Sequence, residues 1–220
     1  MSKAINNPNQ IADTAVAFDR AYRGIARPYW DEDGPTPFVA ELEQAGDIRD
    51  DVFDAGCGTG ENALYLAARG YRVTAIDASP SAIEKAQIKA RERRLEVDFQ
   101  VADARQLVGL ESRFNTVIDS GLFHALPKSA DRQRYAEVLW RTTCCNAVLH
   151  VFAFKDTKIS GAKWLAHLGT QAQRLLTGFG THGVSDEELR TAFGAGWSIE
   201  SVGERVYRGR KFLLARVRRI

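Results

Sequence analysis

Short apolar runs alternate with longer amphipathic segments through the middle of the chain, and this alternation predicts an α/β fold. Runs rich in β-branched and aromatic residues predict five strands, the first ending at Asp54 and the others over 71–76, 96–101, 115–118 and 147–154. Apolar residues at helical spacing predict helices near 59–69, 80–94 and 130–142. This order of elements is typical of a parallel sheet covered by helices on both faces.

The segments on either side of this alternating core, which spans 50–155, complete a single predicted domain over 1–220. An N-terminal segment over 1–46 precedes the core, with helices predicted over 11–23 and 38–45. After the core, an insertion over 155–184 is a candidate lid, and 185–220 is predicted to hold a helix and a hairpin. Ser185 and Glu188 have the spacing of a capping box at the start of that helix. The hairpin strands are predicted over 197–206 and 210–217.

A glycine-rich loop follows the first strand, with glycines at positions 56, 58 and 60. Glycines adopt positive φ and let a ligand approach the backbone, and the amides that begin the next helix point at whatever lies on the loop. The loop is therefore predicted to bind a nucleotide. A dinucleotide fingerprint requires a glycine where this chain has Glu61, whose charge would repel a pyrophosphate. A P-loop requires a Gly-Lys pair that this loop does not have.

Acidic residues end four of the predicted strands, at Asp54, Asp77, Asp103 and Asp119. In open α/β sheets ligands bind outside the carboxyl ends of the strands, so we expect these acids to converge. A ligand with an amino-acid tail and no phosphate suits the acid-flanked loop, and S-adenosylmethionine is such a ligand. Asp77 is placed to accept both ribose hydroxyls. Asp103 either accepts from the adenine amine or caps a helix, and Asp119 either helps to fix the ammonium or caps the next helix.

The segment DAGCGTGENALYLAARGYRVTAIDAS resembles the first and ribose-binding motifs of class I S-adenosylmethionine-dependent methyltransferases. VADAR and FNTVIDSGLFHALP resemble that family's adenine-contacting and fourth motifs. The resemblance implies a Rossmann-like fold, with a seven-stranded, mostly parallel sheet that ends in a C-terminal antiparallel hairpin. It implies S-adenosylmethionine as cofactor and S-adenosylhomocysteine as product. The candidate cofactor-binding residues are Trp30, Asp54, Gly56, Cys57, Gly58, Gly60, Asp77, Ala78, Asp103, Ala104 and Asp119.

One segment departs from the family pattern. Members often have a Leu-Arg-Pro-Gly-Gly turn before the fifth strand, and this chain has RTTCCN over 141–146 instead. We expect Cys144 and Cys145 to close the preceding helix as buried thiols.

A narrower resemblance concerns the methyl acceptor. The segments FDRAYRG, DSGLFHALP and VSDEELRTAFGAGWSIESVGERVYRG are similar to small-molecule methyltransferases that act on heterocyclic toxins, including hydroxyquinolones. Thiopurine-type methyltransferases are more distant relatives. The resemblance implies a flat aromatic acceptor that is methylated on nitrogen, oxygen or sulfur, in detoxification or secondary metabolism.

The candidate residues on the acceptor side are aromatic or titratable. His124 is either a general base for a phenol, hydroxylamine or thiol, or a histidine hydrogen-bonded within its loop. Phe123 either stacks on a ligand or packs in the core. Tyr22, like Trp30, belongs to an N-terminal segment that this fold commonly lays across the cofactor. Trp164 in the insertion either lines the acceptor pocket or packs on the core.

Composition narrows the partners and the compartment. The net charge is +2, and the basic residues of the C-terminal end alternate with apolar ones as on solvated strands, so no nucleic acid is expected. Three cysteines without disulfide or metal spacing predict a reducing cytoplasm and no metal site. The longest apolar runs are too short for a membrane span. The oligomeric state stays open.

Alternatives to a small-molecule methyltransferase remain at this point. Methyltransferases acting on nucleic acid usually carry an Asn/Asp-Pro-Pro-aromatic motif after the fourth strand, where this chain has DSGL over 119–122. A protein acceptor and a non-catalytic module that binds S-adenosylmethionine are further alternatives. A nicotinamide-dependent reductase is disfavoured by Glu61 in the loop.

Overall fold

Seven strands form one sheet in the computed structural model, which describes residues 13–24, 27–126, 128–155 and 183–220. The strands are β1 (Val52–Ala55), β2 (Val73–Asp77), β3 (Asp98–Val101), β4 (Phe114–Ser120), β5 (Thr143–Phe154), β6 (Trp197–Tyr207) and β7 (Arg210–Arg219). The helices are α1 (Asp13–Arg23), α2 (Pro37–Gln44), α3 (Glu61–Ala67), α4 (Pro80–Arg93), α5 (Leu122–Ala125), α6 (Ser129–Thr142) and α7 (Asp186–Ala192).

The strand order is β3-β2-β1-β4-β5-β7-β6. The first five strands pair in parallel, and β7 pairs antiparallel with both β5 and β6. The strand direction therefore reverses only at the hairpin. Strands β2 and β3 lie on one side of β1, and β4 with the later strands lies on the other, so the strand order reverses between β1 and β4. This arrangement confirms the predicted Rossmann-like class I fold. The crevice at such a change of side is where ligands bind in α/β sheets.

Alternate residues of β1 serve two different hydrophobic cores. Phe53 and Ala55 belong to the core under α6 and α7, and Val52 belongs to the core under α3 and α4. All four residues of β1 are buried, because helices cover the sheet on both faces. Removing a fully buried ring such as Phe53 by substitution with alanine costs about 3–5 kcal/mol.

Helix starts follow the predicted capping chemistry. The Ser79 hydroxyl accepts from the amide of Ala82, and Pro80 is the first residue of α4. Ser185 and Glu188 form the reciprocal capping box of α7. Side-chain caps therefore fix the N-terminal end of both helices.

The fifth strand begins earlier than predicted. It starts at Thr143, so Cys144 and Cys145 lie in β5 and do not close α6. Cys144 is partly exposed and Cys145 is exposed, so the prediction of buried thiols is wrong. Thr143 pairs with Phe114, the register then shifts, and Asn146 adopts a φ of +63°. The polar residues are accommodated by this irregular start of the strand instead of by a turn.

Some predictions lie outside the described residues. Trp164 and most of the insertion fall in 156–182, and the first residues of the chain fall in 1–12. Among the helices that the structure describes, none is long and apolar enough to cross a membrane. Among the same residues, no group of three or more His, Cys, Asp or Glu side chains is placed to hold a metal ion.

Candidate functional site

A cavity of about 520 Å³ lies at the carboxyl ends of the parallel strands and extends to the hairpin of β6 and β7. It brings together ten of the residues predicted from the sequence: Tyr22, Trp30, Gly56, Cys57, Gly58, Asp77, Ala78, Asp103, Ala104 and His124. Four other predicted residues do not line it: Asp54, Gly60, Asp119 and Phe123. For Gly60, Asp119 and Phe123, local contacts explain the difference, and Asp54 is buried without a hydrogen-bond partner among the described residues.

Gly58 lies at the centre of the glycine-rich loop. Its φ is +54°, and its amide donates to Oδ2 of Asp77 over 2.9 Å. A Cβ atom at this position would lie 2.8 Å from the hydroxyl of Tyr22. A side chain here would therefore collide with Tyr22, so the positive φ and the close approach of α1 to the loop both require glycine.

Gly60 has a packing role instead of a ligand-facing one. A Cβ atom on Gly60 would lie 2.7 Å from the Phe99 ring and 2.9 Å from Cβ of Ala86. The glycine lets the start of α3 contact α4 and β3 directly. This corrects its prediction as a ligand contact, because the packing of helix against strand accounts for it.

Asp77 is fixed by the backbone around it. Its Oδ2 atom accepts from Gly58, and its Oδ1 atom accepts from the amide of Ser79 over 2.8 Å. Burial raises the pKa of this carboxyl, and the two amide hydrogen bonds lower it. A carboxylate has about four acceptor positions, so two positions stay open toward the cavity, as a ribose diol requires.

Asp54 is a buried carboxylate without a partner. It is 1% exposed, and neither of its oxygens has a hydrogen-bond partner among the described residues. Burial, followed by the charges of Asp119 and Asp77, raises its pKa to about 7. Unsatisfied buried carboxylates are unfavourable, and a positive charge beside the loop would offset that cost. Asp54 therefore lies behind the loop without lining the cavity, and a cation bound in the cavity would favour its ionised form.

Asp103 is engaged by an arginine that also lines the cavity. Arg105 pairs with Asp103 at 2.7 Å and with Asp131 of α6 at 2.8 Å. The amide of Arg105 also donates to Asp103 Oδ1. The arginine thus fixes the end of β3 to the first turn of α6. An adenine contact by Asp103 and Ala104 stays a prediction. The ion pair between Arg105 and Asp131, which holds Arg105 against α6, was not predicted from the sequence.

Asp119 caps α5, which is one of the two roles that the sequence left open. It is fully buried, and its Oδ1 atom accepts from the amides of Gly121, Leu122 and Phe123. Its Oδ2 atom accepts from the hydroxyl of Tyr135 at 3.0 Å. Burial raises its pKa to about 6, although these hydrogen bonds lower it. With both oxygens occupied, this carboxylate is not placed to contact a ligand directly.

Phe123 points into the core. It is fully buried, stacks on Phe193 at 5.5 Å, and lies under the guanidinium of Arg132. Of the two roles that the sequence left open, the structure favours core packing, because Phe123 and His124 project about 100° apart from the short helix α5. The helix turns Phe123 inward and His124 toward the cavity.

His124 is a neutral histidine whose basic nitrogen is occupied. The amide of Phe154 donates to Nδ1 over 3.3 Å, which assigns the proton of the neutral ring to Nε2. Burial, together with the charge of Arg132, lowers its pKa to about 3. In this arrangement the ring has no free lone pair for a proton from the acceptor. The structure thus favours the histidine hydrogen-bonded within its loop, which is one of the two roles that the sequence left open, and the general base stays a prediction.

The N-terminal segment encloses the loop with aromatic side chains. Trp30 Nε1 donates to the hydroxyl of Tyr22 at 3.0 Å, and the Trp30 ring meets Phe18 and Tyr29 edge to face. Lys85 of α4 donates to the carbonyl of Tyr22 over 2.6 Å, which anchors α1. Both predicted residues of this segment, Tyr22 and Trp30, therefore line the cavity, and contact with a ligand stays a prediction.

The far end of the cavity has a wall that the sequence reasoning missed. Phe152 and Phe154 of β5 lie on one face, and Phe212 of β7 stacks on Phe152 at 4.1 Å with an interplanar angle of 5°. Phe154 is also the register partner of Phe212. The signal was present as alternating phenylalanines in β5, but a continuous apolar run indicates core equally well.

Glu61 is neutralised by two bases of α4. It forms an ion pair with Lys89 at 2.8 Å. Nη1 and Nη2 of Arg93 each donate to one of its carboxylate oxygens, also over 2.8 Å. These partners lower its pKa although burial raises it. Glu61 therefore does not repel a pyrophosphate as the sequence analysis expected, because Lys89 and Arg93 neutralise its charge. The discrimination between cofactors has to come from other residues.

The described residues fit S-adenosylmethionine. Gly56 and Gly58 of the loop line the cavity, the unpartnered Asp54 beside them would be stabilised as a carboxylate by a positively charged ligand, and Asp77 keeps two open acceptor positions. A sulfonium nucleoside with an ammonium tail requires these three features. The aromatic wall then faces the part of the cavity beyond the loop.

Comparison with known proteins agrees with this fit. The family model described as "Methyltransferase domain" matches residues 52–156. A 2-heptyl-1-hydroxyquinolin-4(1H)-one methyltransferase from Mycobacteroides abscessus is 34% identical over 192 residues, which cover 84% of this chain and 78% of that protein.

Solved structures give the same picture. One, solved in work on the conversion of a disulfide bond into a thioacetal group during echinomycin biosynthesis, has a TM-score of 0.81 and 39% identity. The match covers 94% of this chain and 91% of the chain in that structure. The N-methyltransferase NodS from Bradyrhizobium japonicum, in complex with S-adenosyl-L-homocysteine, has a TM-score of 0.69 at 17% identity and shares the fold. The match covers 94% of this chain and 99% of that one.

Proposed function

Because the chain belongs to the class I S-adenosylmethionine-dependent methyltransferases, we propose that it methylates a small, flat aromatic heterocycle on a nitrogen, oxygen or sulfur nucleophile. The enzyme class and the cofactor are those of the family. The acceptor is the part that we propose. The supporting observation is the aromatic wall, which continues the same cavity that the glycine-rich loop opens.

The wall has the shape and chemistry for a flat ring. Phe152 and Phe212 are buried and nearly parallel, and Phe154 lies 4.5 Å from Phe212. The ring of His124 lies 4.5 Å from Phe154 and extends the surface toward α5. Stacked or edge-to-face contacts of an aromatic ligand with such rings contribute about 0.5–1.5 kcal/mol each beyond area burial. A flat heterocycle therefore suits this wall better than a flexible chain.

The chain's own residues contribute positioning and the exclusion of water. When bound, S-adenosylmethionine supplies a methyl group on a positively charged sulfur, which is a good leaving group. Asp77 and the loop around Gly58 fix the nucleoside, and the wall orients the acceptor. Holding two reactants in line is worth up to about 7–11 kcal/mol of the barrier. Trp30 and Tyr22 close the cavity over the loop and keep water from the reacting atoms.

The test is methyl transfer from a labelled donor to a panel of acceptors. The panel contains 2-heptyl-1-hydroxyquinolin-4(1H)-one, phenols, thiols and heterocyclic amines. We expect labelled product from flat aromatic acceptors and none from aliphatic alcohols, which are added as negative controls. Binding of S-adenosylhomocysteine by calorimetry shows that the protein is competent. A protein that binds S-adenosylhomocysteine but methylates no aromatic acceptor would contradict the proposal.

A sulfur acceptor is the second candidate. It is favoured by the 39% identity to the structure solved in work on conversion of a disulfide into a thioacetal. The hydroxyquinolone methyltransferase favours oxygen or nitrogen instead. A cyclic peptide disulfide in the same panel separates the two candidates. Either outcome is consistent with methylation that masks a reactive group, as in detoxification or secondary metabolism.

A further inference from the structure

The acceptor end of the cavity carries a positive charge that no carboxylate neutralises among the described residues. Arg210 of β7 lines the cavity, and its guanidinium carbon lies 5.2 Å from the Tyr29 ring centre and 5.3 Å from that of Phe154. It is exposed and forms no ion pair with any described residue. Its position is thus set by two rings, and its five donors stay open.

The other charges at this end are already paired. Arg208 bonds to Glu32 at 3.1 Å, and the hydroxyl of Tyr207 donates to the same carboxylate at 2.8 Å. Glu32 therefore has two partners and does not reach Arg210. Lys128 is a second cation that lines the cavity, and it forms no ion pair with any residue that the structure describes. It lies at the opposite end, because it is three residues before Asp131, which pairs with Arg105.

A second observation concerns the proton of the acceptor. The Nδ1 lone pair of His124 is occupied by the amide of Phe154, so this ring cannot take a proton in the observed arrangement. Glu32 and Asp31, which also line the cavity, are likewise held in ion pairs with Arg208 and Arg27. An acceptor with an acidic O–H or S–H group must therefore enter already deprotonated, and a deprotonated acceptor needs a cation.

We propose that Arg210 is a specificity-determining residue that selects acceptors in their anionic form, by an ion pair between its guanidinium and an ionised oxygen or sulfur conjugated to the acceptor ring. This inference rests on the proposed function, because it assumes a flat aromatic acceptor against Phe154. Guanidinium groups both stack on rings and bind oxyanions through a planar fork, so the two contacts are compatible.

The transfer balances without an enzyme base. The anionic heteroatom gives an electron pair to the methyl carbon and forms the new bond. The bond between that carbon and the sulfonium sulfur breaks, and its electron pair stays on sulfur. The acceptor loses its negative charge and the sulfur its positive charge, and no proton moves. The neutral methylated product then no longer pairs with Arg210, which favours its release.

The experiment measures binding at equilibrium on the full chain saturated with S-adenosylhomocysteine, at one mildly alkaline pH. The probes are 2-heptyl-1-hydroxyquinolin-4(1H)-one and its O-methyl ether, which has the same ring but no acidic proton. We expect Arg210→Met to weaken binding of the hydroxy compound about tenfold and to leave binding of the ether unchanged, because an ion-paired hydrogen bond is lost only from the first.

The control is Lys211→Met, which removes an equal charge from the next residue of β7. Lys211 is exposed and does not line the cavity, so this variant should bind both probes as the wild type does. Arg210→Lys should retain part of the preference for the hydroxy compound. Affinity for S-adenosylhomocysteine is measured for each variant to show that it folds. If a Met variant does not fold, the Gln variant at the same position, Arg210→Gln or Lys211→Gln, replaces it.

The outcomes separate two failures. Equal losses for the hydroxy compound and its ether in Arg210→Met would overturn the role of charge, and so would no loss for either. A wild-type protein that binds both probes while Arg210→Met and Lys211→Met behave alike overturns only this inference. A wild-type protein that binds neither probe, although it binds S-adenosylhomocysteine, overturns the proposed aromatic acceptor and this inference with it.

Discussion

Asp77 and Phe154 line the same cavity, but they are held in place by different parts of the molecule. Asp77 ends a short parallel strand and accepts from backbone amides at Gly58 and Ser79. Phe154 ends the long strand β5 and is held by other side chains, those of Phe212 and His124. The cofactor end is thus fixed by backbone hydrogen bonds, and the acceptor end by packing of rings.

This difference explains how one fold serves many acceptors. Backbone hydrogen bonds change little when side chains change, so the cofactor end stays constant. Rings that contact one another can be replaced one at a time, so the acceptor end can be altered without unfolding the core. The charges also differ, since acids with raised pKa values are buried near the loop and exposed arginines lie near the wall.

The largest effect should come from pH at the cofactor end. Asp54 has its pKa raised from 3.8 to about 7, so its neutral form is favoured in the folded protein. Its contribution to stability is complete below about pH 4 and is lost as the pH rises through about 7. In Asp54→Asn this loss is absent. As the pH rises from about 4 to about 7, the free energy of unfolding of the variant should increase by up to about 4 kcal/mol relative to that of the wild type.

Urea unfolding of both proteins without ligand, over a series of pH values, measures this difference. Asp119, whose pKa is raised to about 6, titrates in both proteins and largely cancels. Stability curves of the two proteins that run parallel from pH 4 to pH 8 would show that Asp54 is not buried as a neutral acid.

The second effect concerns the loop itself. Gly60→Ala places a Cβ atom 2.7 Å from Phe99 at a φ of +83°. The combined strain and overpacking should destabilise the protein by about 3 kcal/mol. Gly46→Ala is the control, because its φ is +73° but no atom lies within 4 Å of the new Cβ. The two variants should differ by about 2 kcal/mol in the free energy of unfolding, and equal losses would refute the packing role.

The third effect is on cofactor affinity. Asp77→Ala removes the acceptor of two amides and of the ribose diol. S-adenosylhomocysteine should bind about 100-fold more weakly, as measured by calorimetry. Asp51→Ala removes a carboxylate that pairs with Arg72 outside the cavity and should bind as the wild type does. Unchanged affinity in Asp77→Ala would refute the ribose assignment.

The fourth effect should be confined to the acceptor end. Phe154→Ala removes one ring of the wall, and the KM for a flat aromatic acceptor should rise about tenfold. Affinity for S-adenosylhomocysteine serves as the internal control and should not change. If both affinities fall together, the two ends of the cavity are not independent, and the comparison between them fails.

The smallest effect should be that of His124→Gln. The loss of a general base reduces kcat by about 10²–10⁴. With its Nδ1 atom occupied, His124 should instead contribute less than about tenfold, as a donor. Steady-state kinetics with an acidic acceptor decide the matter. A loss of a thousandfold would restore the histidine as a base.

The sequence predicted the cofactor end because its signals are local. The loop, the acid after β2 and the capping box at Ser185 each lie within a few residues, so spacing alone identifies them. Seven strands and most helix bounds followed from the same periodicity. Hence Asp77, Gly58 and Ala78 lie on the cavity as expected.

The acceptor end could not be predicted in the same way. Phe152 and Phe212 are 60 positions apart in the sequence, and only the insertion of β7 between β5 and β6 brings them together. Inward and outward positions in the short helix α5 also depend on how it is capped, which is why the sequence left Phe123 open between a ligand contact and the core. Gly60 fulfils a packing need that the motif does not reveal, and for Asp119 the sequence could not decide between capping and a ligand contact.

Strand β7 follows β6 in the chain but lies between β6 and β5. A growing polypeptide on the ribosome can therefore complete the nucleoside crevice from β1 to β4 first, while β6 has no neighbour to join. Only when β7 has been synthesised do both strands dock together on β5. The pocket that chooses the acceptor is thus assembled last, so a stalled or prematurely released chain would hold a crevice for the methyl donor without a wall to direct the methyl group.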